Sequence, residues 1–263
     1  MERNGLFVML ACATVLAVLF AGCTGTQTET PAATGSEKQT YIIGIDAEYP
    51  NFTFIDKDGN AVGFDVDSAK WIAEQQGIEV TFQPVAWDSI IPALQAKKID
   101  MVYAGMTITD ERKEKVNFTN PYWTVNQDVA AREGSSVTLD DVLAGSATIG
   151  TQRGCTAAIW VEENLIETGK MPAENLKQYD NTPLAVNDLE AGRVDAVMYD
   201  DLVLKDIIAG KSVHIIGSVE TNEQFGIAIR KDDVELLNTM NEGLGKLMND
   251  PYWDELQAKY NMA

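Results

Sequence analysis

One histidine and three cysteines in 263 residues leave little material for reactive or metal-binding clusters. A lone imidazole is a poor start for acid–base catalysis. No Ser/His/Asp set, metal cluster or phosphate-binding loop assembles around it, so no catalytic residue and no cofactor is implied. Cysteine is as restrictive. Cys12 and Cys23 fall in the N-terminal segment and leave Cys155 alone in the rest of the chain, where no intramolecular disulfide can form. Positive charge is scarce too: 20 Lys and Arg against 40 Asp and Glu give a formal charge of −20. That balance argues against nucleic acid and anionic membrane surfaces as partners. By itself it describes a well-solvated surface and says nothing of a cationic ligand. What is present, 45% hydrophobic and 23% charged residues, is a globular composition. The length suits one large domain or two of ordinary size.

The N-terminus stands apart. Arg3 lies in a short polar start, Leu6 to Phe20 is almost unbroken apolar, and "AGC" follows. This is the order of a secretory signal, residues 1–22, and its apolar run is short of the about 20 residues a membrane span needs. "FAGC" resembles the lipobox of prokaryotic lipoproteins, which makes Cys23 the lipidation site, although Phe20 stands where an aliphatic residue is usual. An uncleaved N-terminal anchor is the alternative. Residues 23–40, rich in Thr, Ala, Gly and Pro without periodicity, read as a flexible tether.

Beyond the tether, strand and helix patterns alternate, which predicts βαβ units and mostly parallel sheets flanked by helices. "YIIGI", "IEVTF", "IDMVYAG", "SATIGT", "VDAVMY" and "FGIAIR" read as strands. A helix is predicted over Ser68–Gln76, with Asp67 as N-cap, Gly77 as stop and Val66, Ala69, Ile72 and Ala73 on one face. Ser89–Lys97 reads as a helix with Pro92 in its first turn. Val234–Met248 reads as a long one with Val234, Leu237, Leu244 and Leu247 in a stripe. "LQAKKIDMVYAG" at Leu94 and "LEAGRVDAVMYD" at Leu189 echo one another, each a helix end entering a buried strand, which suggests two lobes of similar build. Thr107 and Arg112 follow the end of the first echoed strand, and Asp200 ends the second. Open α/β sheets bind ligands just outside such strand ends, so an arginine and an aspartate from two lobes would face each other across one cleft. Asp100 and Asp195, at matching helix-to-strand turns, read as structural. His214 reads as strand filler.

With these residues placed, the chain resembles the family-3 extracellular solute-binding proteins, the amino-acid receptors of ATP-binding-cassette importers. The segments "GIDAEYPNFTF", "GFDVDSA", "WDSIIPALQAKKID", "AGMTITDERKEKVNFTNPYW", "RGCTAA" and "AGRVDAVMYD" carry the resemblance, in family order, from Tyr41 to Ala263. It implies a two-lobed, type II periplasmic-binding-protein fold. Lobe 1 would be 41–122 with 226–263, lobe 2 would be 127–220, and hinge crossings would fall at 122–126 and 221–225. It further implies that Arg112 and Thr107 hold the ligand's α-carboxylate, helped by backbone at Gly105 and Thr156. Asp200, often with Asp46, would hold the α-ammonium, and Tyr49 and Trp87 would pack on the side chain. Cys155 stands where the family usually has Ser or Thr. The chemistry of the residue types agrees: guanidinium meets carboxylate with two parallel charge-assisted bonds that lysine cannot copy.

The implied function is a monomeric, membrane-anchored receptor on the outer face of the cell membrane that binds a free amino acid and presents it to a permease. A sensor, or a dehydratase-like enzyme on the same fold, is the alternative. Two aromatic faces, with Asp65, Gln152 and Tyr199 around them, favour arginine, lysine or histidine first and glutamine or another neutral polar amino acid second. Aspartate and glutamate would bury a second carboxylate unpaired.

Overall fold

A computed structural model describes residues 38–262. The segment read as a signal, 1–22, Cys23 and the stretch read as a tether up to residue 37 lie outside the described residues. Regular structure starts at Thr40, one residue inside the stretch read as tether, where the strand Thr40–Ile45 pairs in parallel with Glu79–Pro84.

Two five-stranded sheets carry the body. The first runs Glu79–Pro84, Thr40–Ile45, Met101–Val102, Ala228–Ile229, Asn117–Phe118 across its width. The second runs Leu176–Tyr179, Ile149–Gln152, Ala196–Asp200, Trp123–Arg132, Val213–Phe225. In each, the first three strands are parallel and the last two join antiparallel. The parallel part is the βαβ core that the alternating pattern predicts, and the two echoed strands occupy its third position in both sheets. Their aspartates do the same job. Asp100 accepts the Ile42 amide and Asp195 accepts the Thr148 amide, each at 2.8 Å, fastening the start of the neighbouring strand. The structural reading of both holds.

Helices cover the sheets, with some boundaries moved. The first helix spans Phe64–Gln76 and starts four residues before Ser68. Phe64 and Asp65 give their amides to Asn51 and Phe52 carbonyls at 2.8 and 3.1 Å, so the orphan donors of the first turn are satisfied by the preceding loop. Gly63 makes that entry possible: its φ is 131°, and a Cβ there would lie 2.1 Å from the Phe52 carbonyl oxygen. Asp67 is therefore inside the helix and pairs with Lys259 and Tyr260 instead of capping. The second helix spans Trp87–Gln95, which moves Pro92 from the first turn into the second. In Val234–Leu247 the buried stripe is Leu236, Met240, Gly243, Leu244 and Leu247, and Val234 is 54% exposed.

The segments read as bare crossings are largely strand. Trp123–Arg132 and Val213–Phe225 pair over most of their lengths, with a register shift between Val219 and Glu223 where Asn222 takes a φ of 51°. Tyr122 donates its amide to Phe225 at 3.0 Å, tying the two strands where they leave the first sheet. Val125, Gln127 and Val129 share one buried face of the first of these strands.

Candidate functional site

The helix Asp110–Lys115 is six residues long and Thr109 caps it, accepting the Arg112 amide at 3.1 Å. Four of its other charges pair in solvent, Lys113 with Asp110 and Lys115 with Glu111. Arg112 alone turns inward and is 6% exposed. Its Nη1 donates to the Thr107 carbonyl at 2.9 Å and its Nη2 to the Gly154 carbonyl at 3.1 Å. The guanidinium lies 5.4 Å from the Trp87 ring centre. Burial lowers its proton affinity, which for an arginine still leaves a full positive charge. It meets two neutral carbonyls and an aromatic face, and its remaining donors are placed to take an anion.

Asp200 ends the strand Ala196–Asp200 and is 7% exposed. Its carboxylate accepts the Tyr49 hydroxyl at 2.6 Å and the Gln127 amide. Burial above all, then the Glu223 charge, pushes its pKa up to about 7 against the pull of those two donors, and Asp201 adds to the rise. Arg112 and Asp200 line the same narrow cavity with Tyr49, Trp87, Gly105, Thr107, Cys155, Thr156 and Tyr199. One charge of each sign, from opposite lobes, therefore bounds one space.

The lobes touch around it. The Gly154 carbonyl takes both Arg112 and the Trp87 indole N–H, the latter at 3.2 Å. Gln152 Nε2 donates to Asp46 at 2.8 Å, and Arg153 stands 3.6 Å from Asp88. This is a closed arrangement. Tyr199 donates to Gln152 Oε1, so Asp46, Gln152 and Tyr199 form a second polar group beside the Tyr49 and Tyr199 rings, whose centres are 5.9 Å apart. Burial raises the Asp46 carboxyl pKa, while hydrogen bonds from Gln152 and the Glu48 amide oppose the rise.

A bilobal cleft with this pair of charges also has sequence relatives. Residues 41–263 match the bacterial extracellular solute-binding proteins, family 3. The chain belongs to this family. It is 34% identical over 227 residues to the L-arginine-binding protein of Pseudomonas aeruginosa, covering 83% of this chain and 86% of that one. Among solved structures it is similar to an ancestral arginine-binding protein bound to arginine, at 38% identity and a TM-score of 0.77, covering 85% of this chain and 98% of that one. The ancestral protein bound to glutamine matches at 37% identity and a TM-score of 0.77, covering 86% and 99%. These are type II periplasmic folds, as the resemblance implies.

Within the family frame, three expected residues sit differently. Asp65 does not reach the cleft: it is 0% exposed and accepts the Gly105 amide at 2.7 Å and the Tyr122 hydroxyl at 2.8 Å. Burial drives its pKa up to about 8, opposed by those two bonds, so near neutral pH it is largely an uncharged carboxylic acid and no partner for a distal amine. Gly105 lines the cavity, but its amide is spent on Asp65 and the Tyr122 hydroxyl. It must be glycine, because its φ is 58° and a Cβ would lie 2.4 Å from the Tyr49 ring. Thr107 turns its hydroxyl to Glu223 at 3.0 Å. Thr156 opens the helix Thr156–Val161 at the cavity wall, while the Cys155 thiol bonds with Thr151 and is pushed up to about 11, chiefly by burial.

Sequence reasoning missed Gln127 and Glu223. One signal was available: each is a polar residue two places from a buried apolar one, Gln127 from Val125 and Glu223 from Phe225, on the inward face of a strand.

Proposed function

We propose that this protein is an exported receptor that binds one free amino acid between its lobes and hands it to the membrane permease of an ATP-binding-cassette importer. The observation that carries the reading is the buried pair, Arg112 and Asp200, on opposite walls of one cavity. Arg112 takes the α-carboxylate with its free donors, and Asp200 takes the α-ammonium. Tyr49 and Trp87 flank the side chain. Asp46, expected beside Asp200 at the α-ammonium, is bonded to Gln152 instead, and the two are assigned to the distal end, an anion and an amide that favour arginine, lysine or histidine and admit glutamine. The similar structures with arginine and with glutamine bound support both as candidate ligands. The receptor acts as a monomer without a cofactor, as a binder and not as a dehydratase or a free-standing sensor.

Calorimetry with arginine, lysine, histidine, glutamine, glutamate and leucine tests it. Arginine is expected to bind tightest, with glutamate and leucine weaker by about 100-fold or more, the cost of one unpaired buried polar group. Glutamate or leucine as the best ligand would overturn the assignment of the pocket.

Cys23 is the proposed membrane anchor. Mass spectrometry of the native N-terminus is expected to find a lipid-modified Cys23 as the first residue, and retention of Met1 would refute it.

A further inference from the structure

We propose that Glu223 and Gln127 are positioning residues for amino-acid binding, holding the Asp200 carboxylate for the ligand's ammonium from the two strands that run between the lobes. The inference rests on the reading of Asp200 given above.

The geometry is a continuous chain of bonds. Thr107, on the Arg112 side of the cavity, donates its hydroxyl to Glu223 Oε2 at 3.0 Å. Gln127 Nε2 donates to Glu223 Oε1 at 2.9 Å and also to Asp200 Oδ1. Tyr49 ends the path by donating to Asp200 Oδ2 at 2.6 Å. The path therefore runs from the first lobe, through both crossing strands, to the second lobe and back. Glu223 sits at the register shift and Gln127 at a fully buried position, so both side chains are fixed by the strand pairing that joins the lobes.

The charge arrangement gives this chain a purpose. Asp200 faces Glu223 and Gln127 from the crossing strands, Tyr49 from the first lobe, and Arg112, Cys155, Tyr199 and Asp201 from the elements around it. Two carboxylates sharing one amide donor in a buried place repel each other, and an arriving ammonium relieves the repulsion. Binding needs the ionised form of Asp200. Affinity is therefore full where Asp200 is ionised, above about pH 8, and falls as pH drops through its titration near 7. Glu223 raises that midpoint and Gln127 lowers it.

The two residues can be separated by near-isosteric substitutions. Glu223→Gln keeps the size and hydrogen-bonding reach and removes the like charge, so the midpoint of the affinity–pH curve is expected to move down by about one unit. Gln127→Met removes the donor that stabilises the charged carboxylate. Its midpoint is expected to move up by a similar amount, with affinity for arginine at neutral pH falling about tenfold. A merely structural role would not move the two midpoints in opposite directions.

The test is calorimetric titration with arginine from acid to mildly alkaline pH, together with carboxyl NMR of Asp200 in the ligand-free protein. Opposite shifts support the proposal. Unchanged midpoints, or both moving the same way, overturn it. If Glu223→Gln does not fold, Gln127→Met alone decides, since an unmoved midpoint refutes the link. If the wild type binds no amino acid, the reading of function fails, and the NMR titrations still decide whether Glu223 and Gln127 control Asp200.

Discussion

Arg112→Ala is expected to weaken amino-acid binding by about 3–5 kcal/mol, enough to remove it from ordinary calorimetry, while the protein still unfolds in one cooperative transition. The magnitude follows from what the truncation leaves behind. The ligand's carboxylate would enter a narrow site that Asp200 also lines, with no cation to meet it. The Thr107 carbonyl would lose its Arg112 donor, and the Gly154 carbonyl would keep only the Trp87 indole N–H. Because Gly154 belongs to the other lobe, the same side chain also helps hold the walls together. Arg112→Ala is therefore expected to shift the ligand-bound protein towards a more open form, seen as a larger radius of gyration by small-angle scattering. A ligand can only drive closure by binding the closed state better than the open one. Arg112→Lys is not expected to rescue, since an ammonium cannot give two parallel bonds to a carboxylate. Retained micromolar binding in Arg112→Ala would move the carboxylate site elsewhere.

Much of this site is legible in the chain because the decisive residues sit where local rules put them. Arg112 follows a capping threonine in a short helix, Asp200 ends a buried strand, and the echo between Leu94 and Leu189 places them at matching strand ends. The failures trace to one kind of information. With the first helix predicted to begin at Ser68, Asp65 falls in a loop and is free to face a ligand. Once the helix begins at Phe64, Asp65 shares a stripe with Ala69 and Ile72 and turns into the core. That earlier start depends on carbonyls of Asn51 and Phe52, distant partners that helix propensity does not register. Gln127 and Glu223 were hidden for a related reason: the crossings expected at 122–126 and 221–225 are parts of long paired strands, and pairing decides which side chains point inward, at Glu223 and, just past the first crossing, at Gln127. The commitments of the Gly105 amide to Asp65 and of the Thr107 hydroxyl to Glu223 are equally non-local. A motif names the residue and leaves open which of its atoms faces the cleft.

Asp46→Asn is expected to reorder the ligands. Asp46 is the buried carboxylate nearest the proposed distal end, joined to Gln152 at 2.8 Å and to the Glu48 amide at 3.0 Å. Burial raises its proton affinity, so an empty pocket holds this charge at a cost that a cationic side chain would offset. With asparagine in its place, arginine would bury its guanidinium against a neutral amide and is expected to bind about 2–5 kcal/mol more weakly. Glutamine, neutral at its far end, is expected to change by no more than about threefold, the scale of a rearranged neutral hydrogen bond. Asparagine offers one oxygen where Asp46 offers two, so either Gln152 or the Glu48 amide loses an acceptor. The melting temperature of the ligand-free variant, measured beside the affinities, separates that structural cost from the loss of charge. An arginine-to-glutamine affinity ratio that inverts, with the ligand-free stability lowered only modestly, assigns the distal cation to Asp46. An unchanged ratio would place it elsewhere.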